Sequence, residues 1–168
     1  MKTLISVCGS DGDDASLSYH ALETAEQVGQ QIAKHGAVLT CGGRGGVMKA
    51  ACKGAKEAGG TTVGILPDCK EEGNEFVDIP ITTCLGDMRN FLVVNAADAV
   101  IAIGGRWGTL NEISFAMSLK KPLVLVAGTG GCVDEIVSGK IMQNTQSTYV
   151  VAHSAQEAVE KAFSLIKK

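Results

Sequence analysis

Short apolar runs alternate with longer stretches in which apolar residues recur every three or four positions. The runs at residues 4–8, 37–41, 61–66, 99–103 and 123–127 are nearly continuous in Val, Ile, Leu, Ala and Cys. They predict strands buried on both faces, since a half-exposed strand would alternate apolar with polar. Between them, Leu22, Ala25, Gly29, Ile32 and Ala33 share one helical face in a segment starting near Ser16 and ending at Gly36. Further helices are expected at about 46–58, 86–95, 108–119 and 133–141. In a last helix from Ser154, Ala155, Val159, Ala162 and Ile166 share one side. Residues 68–74 read as a polar loop, and residues 76–79 and 148–151 as short strands.

Strand–helix alternation along the whole chain predicts an α/β fold, a Rossmann-like doubly wound parallel sheet with helices on both faces, as a single domain over residues 1–168. Ligands of such sheets bind beyond the carboxyl ends of the strands. The glycine turns fall there: Gly9-Ser10-Asp11-Gly12, Gly42-Gly43-Arg44-Gly45-Gly46, Gly104-Gly105-Arg106-Trp107-Gly108, and Gly128 with Gly130 and Gly131. A strand emptying through glycines into a helix leaves free amides and a positive helix end facing one spot, which suits an anion. The turn after residue 103 also carries Thr109 and Glu112 within one helical turn. This points to a phosphorylated ligand with a polar group beside the phosphate.

Composition narrows the function classes. The 168 residues include 21 Gly and only 3 Pro, as expected where tight turns are many. Net charge is −3, and the longest cationic runs are pairs such as Lys120-Lys121 and Lys167-Lys168, so nucleic acid is not an expected partner. No apolar stretch approaches the length of a membrane span, and the N-terminal apolar run is too short for a signal peptide, so no membrane partner and a cytoplasmic location are expected. The six cysteines form no C-x-x-C pair and the three histidines are scattered. No metal site is expected, and the thiols read as buried residues of a reducing compartment.

The dinucleotide fingerprint is not cleanly present after the first strand, and no Gly-Lys-Ser/Thr follows the glycines, so the site is assembled from several turns. Each part also has a purely structural reading. The glycines can serve close packing, Thr109 can cap its helix, and Ser10 can cap its own loop. Arg44 and Arg106 can be solvated charges. Trp107 can cover the sheet end or lie over a flat ligand ring. Arg89 is either a phosphate clamp or an exposed helix arginine. Ile113, Ala116 and Met117 can line a dimer interface or pack on the sheet.

On these motifs the chain resembles the cytokinin-activating nucleoside monophosphate phosphoribohydrolases, a family often labelled "possible lysine decarboxylase". Its G-G-G-S-x-G-L-M segment corresponds to Gly42-Gly43-Arg44-Gly45-Gly46-Val47-Met48 with the preceding Cys41. Its P-G-G-x-G-T-x-x-E segment corresponds to Gly104-Gly105-Arg106-Trp107-Gly108-Thr109-Leu110-Asn111-Glu112. The C-G-S turn appears as Cys8-Gly9-Ser10, and the G-I-x-P strand end as Gly64-Ile65-Leu66-Pro67. The resemblance implies Arg89 and Glu112 as the catalytic pair.

The chain departs from the family at Gly104, Arg106, Asn90, Asn111 and Arg44. These departures resemble a sister branch that includes molybdenum-cofactor carriers, which are similar in fold and hold a phosphorylated pterin at the same turns. No pyridoxal-phosphate lysine stands in a recognisable context, so lysine decarboxylation is not implied.

Two functions follow. The first is a binding protein for a phosphorylated small molecule, a nucleotide or molybdopterin-like ligand, needing no other cofactor. Its phosphate would rest on the amides of Gly105, Gly108 and Thr109, with Arg89 or Arg106 neutralising it and the arginines at 44 and 106 adding positive charge to both loops. The ligand site then comprises Gly9, Ser10, Gly42, Gly43, Arg44, Gly45, Gly46, Gly104, Gly105, Arg106, Trp107, Gly108 and Thr109. The alternative is N-glycosidic hydrolysis of a nucleoside 5′-monophosphate, with Glu112 stabilising an oxocarbenium-like transition state. A nucleotide sensor that changes its oligomeric state is a third class. A homo-oligomer, a dimer or tetramer, is also expected.

Overall fold

The computed structural model describes residues 1–68, 70–141 and 149–166. The expected features at Cys69, Thr148 and Lys167-Lys168 lie outside these residues. Strands β1 (Leu4–Gly9), β2 (Val38–Cys41), β3 (Thr61–Leu66), β4 (Ile79–Thr82), β5 (Ala99–Ile103), β6 (Leu123–Val126) and β7 (Val150–Ala152) form one sheet in the order β4-β3-β2-β1-β5-β6-β7. Every pairing is parallel. The expected doubly wound α/β fold is what the chain adopts.

Two helical layers cover the sheet. Helices α1 (Tyr19–Lys34), α2 (Gly46–Glu57) and α6 (Ala155–Ile166) bury Val28, Ile32, Val47, Ala51 and Val159 against one face. Helices α3 (Asn90–Asn95), α4 (Trp107–Ser118) and α5 (Gly131–Val137) bury Val93, Val94, Ile113, Ala116 and Val133 against the other. All five residues of β5 and all four of β6 are buried, which explains their unbroken apolar runs. Ile113 and Ala116 belong to this second core, and Met117 packs against it. That face of α4 therefore packs on the sheet rather than lining an interface.

Several boundaries differ from the sequence expectations. The first helix starts at Tyr19, because the Ser18 hydroxyl accepts a hydrogen bond from Ala21 N–H at 3.1 Å and sets the N-cap there. The fourth strand is 79–82 rather than 76–79. Phe76 and Asp78 instead anchor Thr62, whose hydroxyl donates to Phe76 O at 2.6 Å and whose amide donates to the Asp78 carboxylate at 3.0 Å. The segment before β5 is a 3-10 turn, Gly86–Arg89, that passes into α3. Another such turn, Lys70–Glu72, interrupts the expected loop. Helix α5 is shorter than expected and begins two residues earlier.

Helices α1 and α2 approach almost backbone to backbone. A Cβ at Gly29 would lie 1.9 Å from Ala51 O, and one at Gly54 would lie 1.9 Å from Glu26 O. Glycine is required at both crossing points, and Lys53 bridges the helices through Glu26 at 3.0 Å.

Candidate functional site at the sheet switch point

Chain direction across the sheet reverses between β1 and β5, with β2 to β4 on one side and β6 and β7 on the other. Their carboxyl ends, registered Gly9 to Ile103, open a crevice in the position typical for such sheets. The β1–α1, β2–α2 and β5–α4 loops all reach it.

Ser10 holds these loops together. Its hydroxyl accepts a hydrogen bond from Gly105 N–H at 2.9 Å, and its carbonyl accepts one from Val47 N–H at 2.9 Å. Thr129 does the same next door: its hydroxyl accepts from Gly104 N–H at 2.9 Å and donates to Val126 O at 2.6 Å. The first two amides of the 104–106 turn are thus used internally. This corrects the expectation that Gly105 N–H would meet a phosphate. At α4 no side chain caps the helix, and the first intrahelical bond is from Leu110 N–H to Arg106 O. The amides of Trp107, Gly108 and Thr109 are the ones left pointing out of the helix. Gly108 faces open space, whereas a Cβ at Gly105 (φ +93°) would lie 2.3 Å from the Thr109 side chain. Gly9, Gly43, Gly45, Gly46 and Gly104 likewise stand where a Cβ would press on neighbouring loop or strand atoms. They shape the crevice without all lining it.

A cleft of about 210 Å³ occupies the crevice. Gly9, Ser10, Arg44, Arg89, Arg106, Gly108, Thr109 and Glu112 line it, as do five residues outside the expected site: Asp11, Asp13, Met48, Asp87 and Asn90. Arg89 is 5% exposed. Its Nη1 donates to the Asn90 side-chain oxygen, and its Nε has no hydrogen-bond partner among the described residues. Gly42 makes room for the guanidinium, because a Cβ there would lie 2.9 Å from Nη2. Asn90 in turn donates to the Asn111 side chain at 3.1 Å. The reading of Arg89 as an exposed helix arginine is thereby excluded.

Glu112 is buried on the α4 wall. Burial pushes its carboxyl up to about 7; Arg89 and a hydrogen bond from Cys8 pull it down, and Asp87 adds to the rise. Cys8, buried beneath it, is pushed up by its own burial and by the Glu112 charge. The pair implied by the resemblance, Arg89 and Glu112, does share one cleft.

The remaining arginines are tied down. Arg44 Nε lies 3.1 Å from Asp11, whose other oxygen accepts from Gly12 N–H at 2.7 Å and Gly45 N–H at 3.0 Å. Arg106 lies 2.5 Å from Asp13 and 3.7 Å from Asp14. The Asp14 carboxyl is held low, first by a hydrogen bond from the Ser16 hydroxyl; burial opposes this, and Ser10 and Arg106 help it. Arg44 and Arg106 therefore do not add uncompensated positive charge, as their positions in the sequence suggested. Three aspartates in the segment Asp11-Gly12-Asp13-Asp14 answer them, and that acidic run was the available signal.

Trp107 is 83% exposed and stands outside the cleft. It covers neither the sheet end nor the cleft. It lines a neighbouring apolar groove with Leu85, Met88, Phe91 and Phe115, the two phenylalanines packing edge to face at 5.5 Å. Among the described residues, no three His, Cys, Asp or Glu side chains gather as a metal site, and no helix is long and apolar enough to cross a membrane. Cys8, Cys41, Cys52 and Cys132 are buried free thiols, and Cys84 is an exposed one.

Residues 2–160 match the model of the SLOG cluster4 family, and this span holds every loop of the cleft. The chain belongs to the SLOG cluster4 family. This family member is 32% identical over 115 residues to the cytokinin riboside 5′-monophosphate phosphoribohydrolase of Mycobacterium tuberculosis, covering 62% of each chain. Its fold superposes on the molybdenum cofactor binding protein of Rippkaea orientalis with a TM-score of 0.85 and 36% identity, covering 99% of this chain and 98% of that one. It also superposes on the molybdenum cofactor carrier protein of Chlamydomonas reinhardtii with a TM-score of 0.84 and 38% identity, covering 99% and 100%. These likenesses agree with the superfamily and the branch to which the motifs point.

Proposed function

We propose that this SLOG cluster4 member is a binding protein for a phosphorylated small molecule, a nucleotide or molybdopterin-like compound, held in the cleft at the carboxyl ends of β1 and β5. The observation that carries the reading is Arg89. A buried guanidinium with an unsatisfied N–H is costly unless a partner arrives, and it lines the same cleft as the uncapped start of α4. The phosphate rests on the amides of Gly108 and Thr109, and Arg89 neutralises it. Gly9, Ser10, Gly42, Gly43, Gly45, Gly46, Gly104 and Gly105 fix the loops around it, while Arg44 and Arg106 stand at its rim. Trp107 lies close enough in sequence to meet a part of the ligand that projects from the cleft.

A cleft of about 210 Å³ is smaller than the roughly 300–1,000 Å³ of sites that enclose drug-sized ligands, so it takes the phosphate-bearing end. The likeness to the Rippkaea molybdenum cofactor binding protein and the Chlamydomonas molybdenum cofactor carrier protein supports a molybdopterin-like ligand. We take the chain to be one cytoplasmic domain spanning residues 1–168. It works as a dimer or tetramer. Native mass spectrometry of the freshly purified protein tests the reading. A retained phosphorylated ligand, lost in Arg89→Met, is expected; a protein that neither retains nor takes up any such compound refutes it.

The second reading, hydrolysis of a nucleoside 5′-monophosphate, draws on the shared cleft of Arg89 and Glu112 and on the mycobacterial relative. Glu112, with its carboxyl near neutrality, is suited to move a proton between the attacking water and the site. Incubation with AMP decides between the two: free adenine released over many turnovers establishes hydrolysis, and saturable binding without release establishes a carrier.

A further inference from the structure

The rim arginines are held in unequal ways. Asp11, the partner of Arg44, is fixed by two backbone amides and has little freedom to leave. Asp13 is 77% exposed along its side chain, and Arg106 is its one side-chain partner among the described residues. The pair spans the cleft mouth from the β1–α1 loop to the residue that caps α4. The exposed Arg106–Asp13 pair is weak and exchangeable, while the buried Asp14, 3.7 Å from Arg106 Nε, stays beside the guanidinium throughout. Arg106 sits directly before the open amides of Trp107, Gly108 and Thr109, so an anion held there competes with Asp13 for the same guanidinium. Because Gly104 and Gly105 amides are bound to Thr129 and Ser10, the turn has fewer donors to offer than its glycines suggest. A phosphate needs another donor, and Arg106 is at hand. The buried, unpartnered Nε of Arg89 marks the same cleft independently as a place for an anion.

We infer that Asp13 is a built-in competitor of the ligand: its carboxylate holds Arg106 in the place that a ligand phosphate takes, and binding exchanges one for the other. Asp13 thereby sets a threshold that favours ligands with a strongly charged, phosphate-class group over weak anions. The inference rests on the proposed phosphate site.

The test is a double-mutant cycle by calorimetry, with AMP and inorganic pyrophosphate as probes and four proteins: the unaltered chain, Asp13→Asn, Arg106→Ala and the double variant. Asp13→Asn is expected to bind up to about fivefold tighter, the ceiling for an exposed pair, while Arg106→Ala binds more weakly. In the Arg106→Ala background, Asp13→Asn changes affinity less than about twofold, which separates the exchange from a general loss of negative charge. Weaker binding by Asp13→Asn would show that Asp13 positions Arg106 instead, and equal tightening in both backgrounds would show a charge effect alone; either overturns the inference and leaves the phosphate site standing. If neither probe binds the unaltered chain nor Asp13→Asn, the phosphate site itself falls, and the inference with it.

Discussion

Ser10 and Gly105, 95 positions apart, are joined by a 2.9 Å hydrogen bond from the Gly105 amide to the Ser10 hydroxyl, buried from solvent. The bond stitches the end of β1 to the start of α4 and spends a donor that would otherwise be open to a ligand. Ser10→Ala leaves that amide buried and unmatched. Urea denaturation is expected to show a loss of about 1–3 kcal/mol. An unchanged midpoint would mean that the amide finds another acceptor.

Two glycines of the same turn should respond oppositely to one methyl group. Gly105→Ala meets Thr109 at 2.3 Å in a left-handed backbone, and should lose at least about 2 kcal/mol of stability. Gly108→Ala meets nothing within 4 Å and should fold within about 0.5 kcal/mol of the parent. Its methyl group stands where a phosphate would approach α4, so its AMP affinity should drop while its melting temperature stays. Equal affinities in Gly108→Ala and the parent would move the phosphate elsewhere.

Arg89→Met keeps much of the buried volume and removes the charge. AMP binding should weaken about tenfold or more, as expected for a charged hydrogen bond, with Arg89→Lys falling between because an ammonium cannot reproduce the fork. Calorimetry giving equal affinities for all three would remove Arg89 from the site.

Glu112 makes stability depend on pH in a predictable direction. Its carboxyl titrates near 7 in the folded chain against an ordinary 4.5, so the folded state holds a proton that the unfolded state has released between those values. The stabilisation is complete below about pH 4.5 and is lost as pH rises through 7, amounting to about 3 kcal/mol. Glu112→Gln carries no such proton. The stability of the parent relative to this variant should therefore fall by that amount between pH 4.5 and 7.5, measured by denaturant unfolding at each pH. A constant difference would place the Glu112 titration in the ordinary carboxylate range.

The sheet and both helical layers were legible because β1, β2, β3, β5 and β6 are buried on both faces and show it as continuous apolar runs. β4 was displaced by three residues because it is an exposed edge strand, with Ile79 and Ile81 about half exposed, and carries no such run. The glycine turns named the end of the sheet at which the cleft opens, and the family motifs paired Arg89 with Glu112, which both line it. What the residues could not reveal was which amides were already taken. That depended on Ser10 and Thr129 reaching across the fold. Nor could they reveal that Asp11, Asp13 and Asp14 would answer the arginines of two other loops. Such pairings are fixed by the register of parallel strands, not by local spacing.

The crossing of α1 and α2 at Gly29 and Gly54 reaches as far as the cleft. Two helices in backbone contact cannot slide past each other without collision, so the ends from which their loops depart keep their spacing. Ser10 and Arg44 lie on those loops, and the buried Ser10–Gly105 bond ties the start of α4 to the same frame. Two missing side chains thus set the gauge of the cleft.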